Sequence, residues 1–173
     1  KICLMLFSKD FEKIYLKYSD KIYKYLYLNT LDPYLSEDIT SETFLRIWKN
    51  WKKLKPDFIQ ALLYKTAKNI LIDHYRKHKN GKKVSLEETV EKGIEPSYDE
   101  DLIEKINKDD NFKKITEAMK LLPDNLKEVL ILRFIDDLSA RETAEILGTS
   151  EVNVRVLQYR GLKELKKVIA NEK

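Results

Sequence analysis

His74 and His78 are the residue pair that most readily suggests metal chemistry. They lie four residues apart, so one face of a helix would carry both imidazoles, which are common zinc ligands. They sit in a run of Arg and Lys that would repel a cation, and no further ligand is nearby. Glycine-rich phosphate loops and nucleophile elbows are also absent from the sequence. We therefore expect no enzyme, no catalytic residue, no metal site and no cofactor, and a metal-dependent nuclease would lack its ligands.

The stretch from Tyr64 to Arg76 has side chains suited to unpaired nucleic acid. Tyr64, His74 and Tyr75 stand among cations, and aromatic rings stack on unpaired bases while Lys and Arg follow the phosphates. Helical spacing predicts a polar face formed by Lys65, Lys68, Asn69, Asp73 and Arg76. Spacing alone slightly favours a plainer alternative, in which this face is only solvated and the tyrosines belong to the core.

Near the C-terminal end, the pattern from Leu138 to Leu165 predicts a helix-turn-helix. Ser139 and Glu142 have the spacing of a capping box, and Gly148 can supply the left-handed turn after a short helix. The next helix would present Arg155, Gln158, Tyr159 and Arg160 outward. Arg can contact guanine with two hydrogen bonds and Gln can do so with adenine, so this helix is suited to the major groove. The alternative is an ordinary helical hairpin with a solvated polar face.

A third candidate surface is an apolar stripe edged by charge. It comprises Phe44, Leu45, Ile47, Trp48 and Trp51, with acidic residues before it and Arg46 and Lys49 after it. This is more apolar area than one face of a small bundle must bury, which is typical of a helix that binds a protein partner. The alternative, with both tryptophans in the core, fits the periodicity equally well.

The elements that carry these residues are predicted to be helices. Three- and four-residue steps of apolar residues predict a first helix that begins near Phe11, and Ser36 is the predicted cap of the second. The third helix is predicted over 58–77. A further helix starts at Pro123-Asp124 and is expected to face inward with Leu126, Val129, Leu130 and Phe134.

Composition and charge divide the chain into two helical modules. Charged residues make up 36%, with only four Gly and four Pro, a balance that favours an all-α fold. Residues 1–80 carry 16 Lys/Arg against 9 Asp/Glu, whereas residues 81–112 carry 5 against 10. We therefore predict a basic domain over 1–79, a flexible acidic linker over 80–111 and a helix-turn-helix domain over 112–173, with a polyanion as partner.

The remaining bulk features suggest a cytoplasmic protein. Cys3 is the only cysteine, so no intramolecular disulfide can form. The short apolar segment over 2–7 is expected to lead into a core helix rather than to be a signal peptide. Since no stretch approaches the ~20 apolar residues of a membrane span, we expect no membrane insertion.

Three segments together resemble the extracytoplasmic-function group of the bacterial primary sigma-factor family. Residues 36–48 (SEDITSETFLRIW) look like the family's region-two core-binding helix, and residues 63–76 (LYKTAKNILIDHYR) are similar to its promoter-melting and minus-ten segment. Region four is matched by Leu122-Pro123, Leu132–Phe134, residues 138–148 and residues 153–160. The resemblance covers about residues 10–79 and 112–168, and its motifs follow the family's order and spacing.

The resemblance implies a subunit that binds bacterial core RNA polymerase and melts promoter DNA. The second helix would dock on the clamp coiled coil of the largest subunit, region four on the flap of the second-largest, and the linker would thread the polymerase cleft. An anti-sigma factor would be a further partner. The residues carried over for polymerase binding are Asp38, Glu42, Phe44, Leu45, Ile47 and Trp48.

Promoter DNA, single-stranded and duplex, is the other implied partner. The opened minus-ten strand would be held by Tyr64, Lys65, Lys68, Asn69, Asp73 and Arg76, with Asn69 next to a flipped base. The duplex minus-thirty-five element would be contacted by Arg155, Val156, Gln158, Tyr159 and Arg160. One position departs from the family, because Leu62 stands where a Trp is usual. The alternative function is a stand-alone helix-turn-helix regulator, which would not require the single-strand face.

Overall fold

A computed structural model of the chain describes residues 9–54, 59–79 and 116–171. The described residues contain helices and no strand, which confirms the predicted all-α class. None of these helices has the length and apolar character that crossing a membrane requires. The elements are α1 (Lys9–Thr30), α2 (Pro33–Asn50), a 3₁₀ turn (Trp51–Lys53), α3 (Ile59–Lys79), α4 (Asp124–Leu130), a π-helical segment (Ile131–Ile135), α5 (Ala140–Leu147) and α6 (Glu151–Asn171).

The first three helices pack on one another through the predicted apolar stripes. Phe11, Ile22 and Leu26 of α1 are at most 1% exposed, as expected from their helical spacing. On α3, the predicted inward residues Leu63 and Ala67 are fully buried. This small bundle therefore leaves the opposite faces of α2 and α3 to other contacts.

The start of α2 differs from the prediction. Asp32 is its N-cap, and the carboxylate of Asp32 accepts a hydrogen bond from the Leu35 amide at 3.1 Å. Ser36, the predicted cap, lies inside the helix, fully buried, and donates from Oγ to the Asp32 carbonyl. Pro33 explains the difference, because its fixed φ and missing N–H suit the first helical position.

In the C-terminal part, α4 runs directly into the π-helical segment. Leu126, Val129 and Leu130 are buried as predicted. Phe134 is 52% exposed, so the expectation that it faces inward is wrong. The change from α to π geometry after Leu130 rotates the following side chains relative to the α-helical period on which that expectation was based.

The helix-turn-helix has the predicted local structure. Ser139 and Glu142 form a reciprocal capping box, and Gly148 ends α5 with φ of 65°. Ser150 then caps α6, accepting from the Asn153 amide at 3.2 Å. At the helix crossing, Gly161 lies against Leu130, since an added Cβ would be 3.0 Å from the Leu130 Cγ. These features fix the position of α6 on the domain.

The N-terminal and C-terminal helices pack against each other. A continuous cluster of buried apolar side chains includes Ile22 and Leu63 from one part and Leu130 and Leu138 from the other. The predicted linker over 80–111 and the apolar segment over 2–7 lie outside the described residues.

Candidate nucleic-acid interface

One exposed row on α3 contains most of the residues predicted to hold single-stranded DNA. Lys65, Asn69, Asp73 and Arg76 are all exposed, at helical spacing that places them on one side. Arg76 Nη1 lies 3.8 Å from Asp73 Oδ1, and the two side chains are 75% and 54% exposed. Such an exposed ion pair contributes little to stability, so Arg76 can leave Asp73 and bind a phosphate instead.

Tyr64 and Lys68, the other two predicted residues, are covered by neighbouring helices. Tyr64 is fully buried, and its ring packs edge-on against Tyr25 with centroids 5.3 Å apart. The expectation that Tyr64 lies among exposed cations is therefore wrong. Its part of α3 is covered both by α1 and by the C-terminal helices, so for Tyr64 the burial supports the alternative in which the tyrosines belong to the core.

Lys68 is ion-paired with a residue of the C-terminal part. Its ammonium nitrogen lies 2.9 Å from Glu128 Oε2, and the two side chains are only 22% and 18% exposed. Tyr25 donates its hydroxyl to the other carboxylate oxygen of Glu128 at 2.8 Å. Burial first, and then the Glu128 charge, raise the pKa of Tyr25. The Glu128 carboxylate of α4 thus binds one side chain from α1 and one from α3.

Asp136 is a second acidic group where the two parts meet. It is 5% exposed, and burial raises the pKa of its carboxyl to about 7 despite the opposing effects of the Tyr64 hydroxyl and of Lys24 and Lys21. The geometry of Tyr64 and Asp136 falls short of a hydrogen bond, so the Tyr64 hydroxyl and Oδ2 of Asp136 are buried without one. Burial therefore favours the neutral form of the Asp136 carboxyl in this arrangement.

The two histidines lie one helical turn apart near the end of α3. The rings of His74 and His78 are 4.2 Å apart, and burial followed by the charge of His78 lowers the pKa of His74. Within the ranges that the structure describes, no group of three His, Cys, Asp or Glu side chains is placed to hold a metal ion. The pair sits next to Tyr75, which is 48% exposed.

The predicted polymerase-binding residues divide into an exposed set and a buried set. Asp38, Glu42 and Leu45 are exposed, and Leu45 keeps 50% of its surface accessible. Phe44 and Ile47 are buried, and the partly buried Trp48 packs on Phe11 at 5.0 Å between ring centroids. Phe44, Ile47 and Trp48 thus contact the bundle core. Tyr34, which is 80% exposed on the same helix, was not among the predicted residues.

The outward face of α6 has the expected composition for a recognition helix. Arg155, Val156, Tyr159 and Arg160 are exposed, with Tyr159 at 70%. Arg155 is 3.4 Å from Glu151, a long and exposed contact that DNA could replace. Val152, 68% exposed, extends the face toward the helix N-terminus, and an apolar residue there gave no specific sequence signal.

Gln158 differs from its neighbours on α6 because it is held by a side chain of another element. Arg133 Nε donates to Gln158 Oε1 at 2.9 Å, and Arg133 Nη1 donates to the Leu138 carbonyl. Gln158 is partly buried. Sequence spacing placed it outward but gave no indication of the Arg133 contact, which joins residues 25 positions apart.

Leu62, where the resembling family usually has Trp, packs partly buried against the apolar core. Its carbonyl accepts a hydrogen bond from the Thr66 hydroxyl at 2.7 Å within α3. The smaller side chain is therefore part of the packing of α3.

Two family models match the chain. The model described as Sigma-70 region 2 matches residues 14–81, and the one described as Sigma-70, region 4 matches residues 112–165. The first contains all of α2 and α3, and the second contains the helix-turn-helix.

Curated relatives extend the similarity over nearly the whole chain. The RNA polymerase sigma factor SigV of Bacillus subtilis is 32% identical over 140 residues, covering 78% of this chain and 76% of SigV. The ECF RNA polymerase sigma factor SigM of the same organism is 29% identical, covering 90% of this chain and 92% of SigM. BldN of Streptomyces coelicolor, also an ECF RNA polymerase sigma factor, is 29% identical over 94% of this chain, which spans 61% of the length of BldN.

Among solved structures, the sigma factor RpoE of Bartonella quintana, crystallised with the anti-sigma factor NepR, has a similar fold. The TM-score is 0.71 at 16% identity, over 96% of this chain and all of that chain. The similarity includes both the N-terminal bundle and the C-terminal helices.

Proposed function

The chain belongs to the extracytoplasmic-function group of the sigma-70 family of RNA polymerase sigma factors, and from that premise we propose how its surfaces direct transcription initiation. It binds core RNA polymerase, recognises two promoter elements and opens the DNA at the minus-ten element. The observation that carries the proposal is the exposed row Lys65, Asn69, Asp73 and Arg76 in the same chain as a helix-turn-helix. The exposed row recognises unpaired DNA, and the helix-turn-helix recognises duplex DNA.

The exposed side of α2 is the proposed polymerase-binding surface. Leu45 supplies an accessible apolar side chain, and Asp38 and Glu42 surround it with negative charge. Glu42 pairs with Arg46 at 2.5 Å across one turn of α2, and both side chains stay about half exposed. Phe44, Ile47 and Trp48 support this surface from beneath by fixing α2 on α1. The proposed partner is the clamp coiled coil of the largest polymerase subunit.

The exposed row on α3 is the proposed contact with the opened minus-ten strand. Lys65 and Arg76 are available for phosphates, and Asn69 between them carries both donors and acceptors for a base edge. The recognition helix α6 is the proposed contact with the minus-thirty-five duplex through Arg155, Val156, Gln158, Tyr159 and Arg160. Region four would also meet the flap of the second-largest subunit.

Access to Lys68 and Tyr64 requires the two parts of the chain to separate. Both lie under the C-terminal helices, with Lys68 bound to Glu128. We propose that the described arrangement is a closed state and that binding to polymerase holds the parts open, with residues 80–111 spanning the distance between them. An anti-sigma factor is a further proposed partner, since a related fold is known in complex with one.

In this role the chain has no catalytic step of its own, because nucleotide addition belongs to the polymerase. Since the promoters of a bacterium lie in the cytoplasm, that is the proposed location.

Co-purification with core RNA polymerase tests the proposal. The chain should be retained by immobilised core enzyme and then produce run-off transcripts from a promoter fragment. Failure to bind under conditions where a control sigma factor binds would contradict it. A symmetric footprint on duplex DNA without polymerase would instead indicate the alternative, a stand-alone helix-turn-helix regulator.

A further inference from the structure

Arg133 connects three parts of the helix-turn-helix domain. It lies in the π-helical segment, donates from Nη1 to the carbonyl of Leu138, and donates from Nε to Gln158 Oε1 at 2.9 Å. The Leu138 carbonyl immediately precedes Ser139, the N-cap of α5, whereas Gln158 belongs to α6. A single guanidinium therefore ties the start of the first helix of the motif to the middle of the recognition helix.

This contact determines which way the Gln158 amide points. A guanidinium has only donors, so the atom facing Arg133 must be the amide oxygen rather than the nitrogen. The Gln158 amide nitrogen lies on the other branch of the side chain and has no acceptor among the described residues. Gln158 follows the exposed Arg155 by one helical turn and directly precedes the exposed Tyr159. It therefore presents two N–H donors beside the outward face of α6.

A Gln side chain that is hydrogen-bonded to Arg contacts bases differently from an unbound Gln side chain. A free Gln recognises adenine by accepting a hydrogen bond from N6 and donating one to N7. One of the two lone pairs of the Gln158 oxygen is engaged by a charged donor that also holds the side chain toward Arg133, so Gln158 offers DNA mainly its N–H groups. Guanine, adenine and thymine all present an acceptor in the major groove, whereas the major-groove edge of cytosine presents the N4 amino donor.

We propose that Arg133 is a positioning residue that makes Gln158 a donor contact, which disfavours cytosine at one position of the upstream promoter element. The other three bases are accepted there at similar affinity. This inference rests on the proposed role of α6 in minus-thirty-five recognition. It assigns Gln158 a different specificity from the adenine contact expected from its residue type alone.

Arginine is suited to this task in a way that lysine is not. Its planar fork holds two acceptors on different elements at the same time, here the Leu138 carbonyl and the Gln158 amide. Arg133→Lys would keep the charge but would satisfy the two acceptors less rigidly. The Gln158 amide could then rotate and use its oxygen toward DNA.

The test is a base-substitution series at the upstream element. The full chain, bound to core polymerase, is titrated against promoter duplexes in which each position of a promoter it transcribes carries each of the four bases. For the wild type, one position should bind cytosine about tenfold more weakly than the other three bases, which should agree within about threefold. In Arg133→Lys this discrimination should fall to about threefold or less.

Gln158→Glu provides the sharpest comparison. Glutamate can still accept a hydrogen bond from Arg133, but it offers acceptors to DNA where Gln offers donors. Cytosine, whose N4 amino group donates, should then become the preferred base at the same position. The added charge weakens binding to all four duplexes alike, so the readout is the ranking of bases within each variant.

Two results would overturn the inference. One is a wild-type preference for adenine over guanine and thymine at the position affected by Gln158 substitutions. The other is an unchanged ranking of bases in Gln158→Glu. If the wild-type holoenzyme ignores the upstream element altogether, the proposed role of α6 fails as well, and so the two failures can be told apart.

Discussion

The ammonium group of Lys68 lies 2.9 Å from Glu128 Oε2, so a cation proposed to hold DNA is occupied by a carboxylate from the C-terminal part of the same chain. The Tyr25 hydroxyl occupies the other oxygen of Glu128 at 2.8 Å. Because both members of the ion pair are mostly buried, the pair is screened less than one on the surface. In the proposed role of Lys68, single-stranded DNA would have to displace Glu128 from it.

Replacing Glu128 should favour DNA in that competition. In Glu128→Gln the affinity of the isolated protein for a single-stranded minus-ten oligonucleotide should rise about tenfold, because a hydrogen bond to a charged group is worth about 1.5–3 kcal/mol and the neutral amide replaces only part of it. Fluorescence anisotropy with a labelled oligonucleotide measures the change.

Asp124→Asn is the matched control for this substitution. Asp124 lies on the same helix and pairs with Lys127 at 3.2 Å, but its side chain is 97% exposed. Asp124→Asn removes the same charge as Glu128→Gln but leaves Lys68 bound to Glu128. The affinity of this variant for the oligonucleotide should therefore stay within about twofold of the wild type. Equal gains in both variants would show that only net charge matters, against the closed state proposed here.

Asp136 should make the contact between the two parts depend on pH. Burial raises the pKa of its carboxyl to about 7 from an ordinary value of 3.8, with the Tyr64 hydroxyl on α3 and Lys21 and Lys24 on α1 opposing the shift. The closed state therefore binds the proton more tightly than the open state does. The resulting stabilisation is fully present below the ordinary pKa and is lost as the pH rises through about 7.

The expected change is about a tenfold increase in the ratio of closed to open molecules from pH 8 to pH 6. Energy transfer between dyes on Lys13→Cys and Lys163→Cys, both exposed positions, would follow it in a Cys3→Ser background. Asp136→Asn should remove the pH dependence over this range. If it persists unchanged in that variant, Asp136 does not control the contact.

The exposed side chain of Leu45 should contribute to the binding of core polymerase. Leu45→Asp puts a charge on the proposed docking surface, and we expect the affinity for core enzyme to fall at least about tenfold, since losing a central apolar contact costs roughly 1–2 kcal/mol or more. Leu16→Asp, on α1 and 66% exposed, is the control. Surface plasmon resonance on immobilised core enzyme would measure both, and equal losses would argue against α2 as the docking surface.

Asn69 should act after the first encounter with the promoter. Its side chain is exposed on α3, so Asn69→Ala should leave folding and initial duplex binding near wild-type levels. We expect a reduced fraction of open complex, since a contact with an unpaired base exists only after melting. Permanganate reactivity of the minus-ten thymines measures this fraction. Normal melting by the variant would rule out the assignment of Asn69.

Local sequence signals were sufficient to predict the helix-turn-helix. Ser139, Glu142, Gly148 and Ser150 each act on backbone groups within a few residues, so their spacing indicates the caps and the turn directly. At α2 the prediction placed the cap at Ser36, four residues too late. Asp32 rather than Ser36 begins the helix because Pro33 follows it.

Contacts between distant parts of the chain could not be predicted from these patterns. Tyr64 is buried because the C-terminal helices cover a second side of α3, and helical periodicity cannot tell how many sides will be covered. Glu128 reaches Lys68 across 60 residues and Tyr25 across 103. Arg133 lies in a segment that resembles region four, but its contact with Gln158 could not be predicted because it depends on where Gln158 lies after folding.

Transcript mapping tests the central claim most directly. Core RNA polymerase from the source bacterium is incubated with its chromosomal DNA, with and without the chain, and the 5′ ends of the transcripts are sequenced. The chain should create new start sites that share one motif about ten and another about thirty-five base pairs upstream, and Arg155→Ala should weaken selection of the upstream motif. Start sites identical to those of core enzyme alone would contradict its role as a sigma factor.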